Sequence, residues 1–371
     1  MHNLKKICHL TSVHNRYDPR IYYKECFSLA KNGYKINLVV ADGLGHEELN
    51  KIQIIDVGKK IKSRFYRMFI ITFKIFKTAK KMNACIYHFH DPELIPYMVI
   101  LRLLGKKVIY DVHEDYVASI LYKDYLPKFL KPFISYLYAI LEKIVSKYFI
   151  IVLAENCYRK RLSNGITILN YSKTNQYCFA RKYFGNTLIY TGNITEDRGA
   201  FIYVEILNKI STINVLMIGK CSKYLAERLR EKASDNKRLI IIGVEEYVKY
   251  NKILEAYKDQ NLLAGLILFP TEGQYKDRIP TKIFEYMAAG LPVIASNFQI
   301  WRKIIEDNNC GILVNPLDLN EVVNAVRYLI DNPDKVKIMS GNAKVIIKKK
   351  YSWSFEELKL LKLYKNLFNE K

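Results

Sequence analysis

Arg278-Ile279-Pro280-Thr281-Lys282-Ile283-Phe284-Glu285-Tyr286-Met287-Ala288-Ala289-Gly290-Leu291-Pro292-Val293-Ile294-Ala295-Ser296 is the stretch whose reading decides the fold. Pro280 suits the first position of a helix, and Gly290 is a natural left-handed stop, so a helix is expected to run to Ala289. The apolar run after it, Pro292–Ser296, reads as a strand, and so does Gly265–Phe269 before it. A polar loop, Pro270-Thr271-Glu272-Gly273, leads from that earlier strand toward the helix. Strand, loop, helix and strand in this order make one unit of a parallel sheet, with the helix N-terminus opening at the carboxyl end of the strands. Unpaired N–H groups and the helix dipole attract phosphate there, and Lys282 adds a full charge in the first turn. Glu285, one turn on, repels phosphate but accepts hydrogen bonds from ribose hydroxyls. The bland alternative is an ordinary surface pair of Lys282 and Glu285 at i,i+3, which contributes about 0.2–0.5 kcal/mol. Spacing alone leaves both readings open.

Working outward, short apolar runs alternate with helical stretches along the whole chain. In the first half the strand candidates are Ile7–Thr11, Ile36–Ala41, Ala84–His90, Val108–Val112, Phe149–Leu153 and Thr167–Leu169. In the second half they are Leu188–Thr191, Val215–Ile218, Leu239–Ile242, Gly265–Phe269, Val293–Ala295 and Ile312–Val314. This alternation predicts an α/β protein with two doubly wound parallel sheets, and a chain of 371 residues is long enough for two cores. The polar stretch Tyr171–Gly185 is the expected break, giving domains over 1–175 and 186–345. Trp353, Phe355, Leu358, Leu361 and Tyr364 then recur at helical intervals, so residues 350–371 are expected to form a terminal helix that packs on a domain already folded.

The seven cysteines are odd in number and scattered, without a C-x-x-C pair, which argues against a disulfide framework or a zinc site and fits a reducing cytoplasm. Charge interrupts the first ten residues, Met1-His2-Asn3-Leu4-Lys5-Lys6-Ile7-Cys8-His9-Leu10, where a signal peptide needs an apolar core. The most apolar long stretch, Phe133–Ala154, contains Glu142, Lys143 and Lys147. Each of these costs about 2.5–3.5 kcal/mol at a membrane centre, so the stretch is not expected to span a bilayer. A net charge of +23 concentrates anions. The richest basic stretch, Lys59–Lys81, interleaves its cations with Phe65, Phe69, Thr72, Phe76 and Ala79 at helical spacing. It reads either as a basic helix for an anionic membrane surface or as a core-packed helix with a solvated back. The Tyr, Phe and Lys residues of Tyr122–Lys131 lean toward the membrane. Nucleic acid is not expected, because no motif that places bases is present.

Further constellations sit where strands end. After Leu188–Thr191 comes Gly192-Asn193-Ile194-Thr195-Glu196-Asp197-Arg198-Gly199. There Gly192 permits close approach of a ligand and Arg198 is able to fork onto phosphate oxygens. All histidines fall in the first half, with His88 and His90 before Asp91 and with His113 after Asp111. His90 and His113 are the ones expected to serve a substrate. Asp91, Glu93, Asp111, Glu114 and Asp115 lie near these histidines without diagnostic metal spacing, so no metal is expected. The first loop, Ser12–Ile21, lacks G-x-G-x-x-G, and no Walker pattern occurs, which counts against a nicotinamide oxidoreductase and a P-loop enzyme.

Over almost its whole length the chain resembles the bacterial glycosyltransferases of family 4, retaining GT-B enzymes of capsule, O-antigen and exopolysaccharide assembly. The likeness is carried by Asp18-Pro19-Arg20-Ile21, His90-Asp91-Pro92, Asp111-Val112-His113-Glu114, Tyr190-Thr191-Gly192 with Arg198-Gly199, and above all Pro280–Ala295. It implies two Rossmann-like domains facing across a cleft and a hexosyltransferase-type transfer from a nucleoside-diphosphate sugar, with no cofactor or metal. By the same resemblance Glu285 holds the ribose, and the base rests near Gly243-Val244-Glu245. Gly192, Arg198 and Lys282 meet the diphosphate, and His113 meets the donor sugar. A second acid is implied with seven residues between it and Glu285, where Asp277 stands, with Glu272 as its competitor. His90, Asp91 and Arg20 fall on the acceptor side. The implied acceptor is a glycan or a polyprenyl-diphosphate-linked sugar, used at the inner face of the plasma membrane. The other class of function compatible with these residues is a non-catalytic GT-B subunit that binds a polysaccharide intermediate or a partner enzyme.

Overall fold

The computed structural model describes residues 5–58, 63, 66–121, 126–270 and 278–369. It divides into two compact units, Met1–Asn170 with Ser354–Lys371, and Tyr171–Trp353. In the first unit the strands are β1 (Lys6–Leu10), β2 (Lys35–Val40), β3 (Glu47–Leu49), β4 (Ile52–Asp56), β5 (Ile86–Phe89), β6 (Lys107–Val112), β7 (Ile150–Leu153) and β8 (Ile166–Thr167). They form an eight-stranded sheet in the order β3-β4-β2-β1-β5-β6-β7-β8. All pairings are parallel except β3 with β4. The central strands are buried along nearly their whole length, as sheets covered on both faces require. Ile7, Ile36 and Ile86 stand side by side in register across β2, β1 and β5.

The hairpin β3–β4 has no counterpart in the sequence reading. Its first strand is short and acidic, and its turn at Asn50 and Lys51 takes positive φ at both residues (55° and 63°), a conformation that no glycine announces. Arg16 holds it in place through Asp42 (2.6 Å) and Glu47 (3.1 Å). The described part of the basic stretch has a packed face and an exposed apolar one, with Met68, Phe69, Ile70 and Phe73 on the surface. Residues 59–62, 64 and 65 lie outside the described residues. In the helix Thr72–Met82 and the turn before it, the packed face is Ile71, Thr72, Ile75 and Ala79, while Phe69 is exposed and Phe76 stacks on Tyr97. The terminal helix Trp353–Asn369 belongs to this unit. Its Tyr364 is buried with the hydroxyl 2.7 Å from His88 Nδ1, and its Glu356 accepts a hydrogen bond from the Leu169 amide (2.8 Å).

The second unit holds β9 (Thr187–Thr191), β10 (Asn214–Cys221), β11 (Leu239–Val244), β12 (Leu262–Ile267), β13 (Val293–Ser296) and β14 (Gly311–Val314). Their order is β11-β10-β9-β12-β13-β14, with every pairing parallel. From β9 the chain winds outward through β10 to β11 and then returns to lay β12 on the other side of β9. The direction of winding therefore reverses between β9 and β12, the place where open α/β sheets bind ligands beyond their carboxyl ends.

Three glycines let neighbouring strands of this unit approach at that edge. A Cβ on Gly219 would lie 1.8 Å from the Gly192 carbonyl oxygen, and one on Gly243 would lie 2.4 Å from that of Gly219. Their φ values of 129°, 152° and 102° for Gly192, Gly219 and Gly243 are ones that other residues rarely adopt. Gly219→Ala should therefore lower the stability of the second unit by about 1–3 kcal/mol, the usual range for overpacking. Denaturant unfolding checks this, and an unchanged midpoint would mean that the strands do not need this close approach.

Candidate functional site

At the switch point of the second unit, β9 ends at Thr191 and runs into Gly192. The Gly192 amide donates to the Ile218 carbonyl (2.9 Å), and Arg198 Nη1 comes within 3.7 Å of the position a Gly192 Cβ would occupy. The guanidinium thus lies against the glycine turn, as the pairing of Gly192 with Arg198 anticipates. Gly199, at φ 80°, follows at once and lets the chain pass the Leu268 carbonyl; a Cβ there would be 2.2 Å from that oxygen.

On the other side of the switch, the segment after β12 is pinned at both ends. The Ser296 hydroxyl donates to the Phe269 carbonyl (2.5 Å), and the buried Trp301 indole donates to the Arg278 carbonyl (2.6 Å). Glu272 and Asp277 lie between these points, outside the described residues. The helix then runs Thr281–Ala288 with Pro280 as the residue before it. It ends as the sequence predicts: Gly290 takes φ 67°, its amide donates to Met287 O (3.1 Å), and the Leu291 amide donates to Tyr286 O (2.9 Å). This paired closure fixes where the helix stops and so where its first turn stands.

Glu285 is buried, and two hydrogen bonds from described residues converge on its Oε2, from Lys282 Nζ (2.8 Å) and from the Tyr257 hydroxyl (2.9 Å). The pair at i,i+3 therefore exists, but its acid is inside the protein rather than on a solvated face. Because Tyr257 gives its proton to Glu285, Thr191 Oγ1 donates to Tyr257 (2.6 Å), and the Thr191 amide donates to the Tyr286 hydroxyl (2.9 Å). A chain of bonds thus runs from the end of β9 through Tyr257 to Glu285 and Lys282. It joins the Gly192 turn to the helix start, and Tyr257 and Thr191 are its members that sequence reasoning missed. No motif marks Tyr257; only the fold brings it to Glu285. Val244 ends β11, and Glu245 follows at φ 60° with Oε1 accepting from the Lys223 amide (2.6 Å). Its carboxylate thus accepts from the first amide of the helix Lys223–Lys232, whose N-cap is Ser222, and its own amide donates to the Cys221 carbonyl (2.8 Å).

The first unit reverses its winding between β1 and β5, and there it is filled by its own side chains. Arg20 is buried and forks onto Asp111 (Nε to Oδ2 2.8 Å, Nη2 to Oδ1 2.7 Å), with Nη1 donating to the Ile168 carbonyl (3.0 Å). Asp91 is buried and accepts from Thr11 Oγ1 (2.7 Å) and the Ser12 amide (2.6 Å). His90 is buried between His9 (3.1 Å) and Asp111 (3.1 Å). These acceptor-side candidates are thus enclosed, and any effect on a substrate passes through what they hold in place. His113 is nearer the surface, with Nε2 3.1 Å from His14 Nε2. His14 lies 3.3 Å from Asp91 and 3.6 Å from Asp18. Burial opposes its protonation, but those carboxylates outweigh it and raise the His14 pKa well above the ordinary imidazole range. Burial and the charge on His14 push His113 down to about 3, so it stands neutral.

Among the described residues two groups have ligand atoms close enough for a metal ion, His9 with Glu25, His88 and His90, and His90 with Asp111 and His113. In the first group His9 and His90 bond to each other, while both Glu25 oxygens and His88 Nε2 are buried without a hydrogen-bond partner among the described residues. The His9 and His90 rings are 18° from parallel with centroids 5.4 Å apart, which at an N···N distance of 3.1 Å is an edge-on N–H···N contact. Both Asp111 oxygens are taken by Arg20.

Burial also holds His9 and His88 below the ordinary imidazole value. Below about pH 6.5 the unfolded chain takes protons on His9, His88 and His113 that the folded unit refuses, so stability falls with acid. His14 acts oppositely: its contribution is complete below that pH and is lost as pH rises through its raised folded value. The first unit should therefore melt at a lower temperature at pH 5 than at pH 7, losing up to about 1.4 kcal/mol per pH unit for each imidazole held neutral. His113→Asn should flatten this slope; a profile identical to wild type would contradict the neutral assignment.

Residues 185–332 match the family model described as glycosyl transferases group 1. Among curated relatives, the alpha-D-kanosaminyltransferase of Streptomyces kanamyceticus is 25% identical over 48% of this chain and 45% of its own. The chain spans about half the length of the curated relatives it matches. Among solved structures, the sucrose-phosphate synthase of Thermosynechococcus elongatus superposes with a TM-score of 0.77 at 15% identity, covering 99% of this chain and 100% of that one. The Anabaena protein HepE, in complex with UDP and glucose, superposes with a TM-score of 0.73 at 12% identity, covering 98% and 100%. At these identities the likeness establishes the two-domain GT-B fold.

Proposed function

We propose that this member of the group 1 glycosyltransferases moves a sugar from a nucleoside diphosphate onto a glycan or polyprenyl-diphosphate-linked acceptor, with retention of anomeric configuration. The observation that carries the reading is the bonded edge of the second unit, where Lys282 in the first turn of a helix and Arg198 against the Gly192 turn flank the switch between β9 and β12. A departing diphosphate builds negative charge, and cations fixed beforehand beside a helix N-terminus stabilise it without reorganisation and without a metal. Glu285 Oε1, which takes neither of the bonds described, is the oxygen for ribose hydroxyls, and the backbone of Gly243, Val244 and Glu245 is the rest for the base. His113, held neutral, offers a hydrogen bond to a sugar hydroxyl. Asp277 or Glu272 supplies the second acid. The binding of UDP by HepE supports a nucleotide sugar as donor.

The setting we propose is surface-polysaccharide synthesis, meaning capsule, O-antigen or exopolysaccharide, on the cytoplasmic face of the plasma membrane. The charge of +23 supports contact with anionic lipid. Among the described residues no helix is long and apolar enough to cross a membrane.

Arg198→Ala and Lys282→Ala should each lower transfer on the order of a hundredfold, the effect of losing one fixed charge-stabilising group. Wild-type turnover in both would remove the diphosphate assignment. A thermal-shift panel of UDP-, GDP- and ADP-sugars should find one donor that stabilises the protein by about 2.7 kcal/mol at a hundred times its Kd. Absence of transfer from every donor would instead favour a non-catalytic subunit. Glu285→Ala should weaken nucleotide binding in calorimetry, and unchanged affinity would contradict the ribose role.

A further inference from the structure

The helix Lys131–Val145 carries its polarity the wrong way round for a protein in water. Toward the first unit it presents Ser135, Tyr138, Glu142 and Val145. Ser135 donates to the Val117 carbonyl (2.7 Å), Tyr138 meets Tyr110 (3.0 Å), and Arg161 holds the buried Glu142 (2.5 Å). Toward solvent it presents Phe133, Tyr136, Leu137, Ile140, Leu141 and Ile144, a stripe at helical spacing. Phe129, 79% exposed, extends the stripe at one end and Tyr148, 63% exposed, at the other. Isolated apolar side chains on a surface need no explanation, but a continuous face of this size on one helix marks a contact site.

Its charges identify what makes the contact. Lys128, Lys143 and Lys147 are exposed beside this face, and Arg102 donates to the Tyr148 carbonyl (3.0 Å) at its far end. From Leu126 to Phe149 the only acid is Glu142, which is buried. A second copy of the chain meeting this face about a twofold axis would set the same lysines against one another. A layer of anionic headgroups supplies the missing countercharge, and its acyl boundary accepts the aromatic and aliphatic stripe. At 15 residues the helix is about 22 Å long, short of the roughly 30 Å hydrocarbon core, so it lies in the interface and does not cross it.

We infer that the outward face of Lys131–Val145, extended by Phe129 and Tyr148, docks the protein on an anionic lipid surface. This rests on the proposed membrane association and adds a second contact to the basic stretch Lys59–Lys81, where Met68, Phe69, Ile70 and Phe73 are exposed as well. The test is flotation of the full chain with phosphatidylcholine vesicles, with and without phosphatidylglycerol, across a salt series. Wild type should float with the anionic vesicles at low salt and lose that binding as salt rises. Leu137→Glu combined with Ile144→Glu should reduce binding at least tenfold while leaving the nucleotide thermal shift unchanged. Lys143→Gln and Lys147→Gln should each weaken it about fivefold. If wild type binds and the double variant binds equally, this face is wrong although membrane association stands. If wild type binds no vesicle, both readings fall. Light scattering that shows a wild-type dimer broken by the double variant, with no vesicle binding, would assign the face to a second copy and overturn the proposal.

Discussion

The edge of the second unit depends on one carboxylate oxygen. Glu285 Oε2 accepts from Lys282 and from Tyr257, and Tyr257 is in turn bonded to Thr191 at the end of β9. Leaving a charge of this kind buried and unpaired costs several kcal/mol, so the helix start, the strand end and Tyr257, which closes the helix Tyr250–Ala256, are held in one arrangement. The same bonds keep a lysine in the first turn of a helix whose opening amides face the carboxyl edge. Charge stabilisation of a leaving group requires such fixed placement, because a cation that must be pulled into position spends its interaction on ordering.

The two units apply one folding rule and end differently. Each winds outward from a central strand, returns, and winds the other way, so each has a switch point at its carboxyl edge. The first unit fills that point with Arg20, Asp111, His9 and His90, all buried and bonded to one another. In the second unit the corresponding edge carries Gly192, Gly219 and Gly243, whose missing side chains bring backbone to backbone. A bare edge beside fixed cations is suited to a nucleotide. A filled one is suited to orienting the few groups, such as His113, that stand nearer its surface.

What the sequence revealed follows from how local each signal is. The strand candidates and the helix ending at Gly290 rest on contiguous apolar runs and on a glycine that only a left-handed cap requires, and the fold places a strand at each, although β8 (Ile166–Thr167) shares only Thr167 with the candidate Thr167–Leu169. The hairpin β3–β4 was hidden because its strands are short, one is acidic, and its turn uses Asn50 and Lys51 in place of glycine. Tyr257 was hidden because its partner is distant in sequence. Arg20, read as a group for the acceptor, is a buried ion-pair partner of Asp111; a motif shows that an arginine is needed but not which way it faces. The stretch Phe133–Ala154 read as too charged to span a bilayer, yet its one acid, Glu142, is buried on the packed side of the helix Lys131–Val145 while the apolar residues of that helix face outward, an arrangement visible only once the packed face is known.

The central claim is that the second unit binds a nucleoside diphosphate at the edge formed by the Gly192 turn and the helix Thr281–Ala288. Hydrogen–deuterium exchange of the full chain, with and without the nucleoside diphosphate of its donor, tests this most directly. The account predicts slowed exchange at the amides of Gly192–Arg198, Gly243–Glu245 and Thr281–Ile283. Binding that protects other segments and leaves these three unchanged would contradict it.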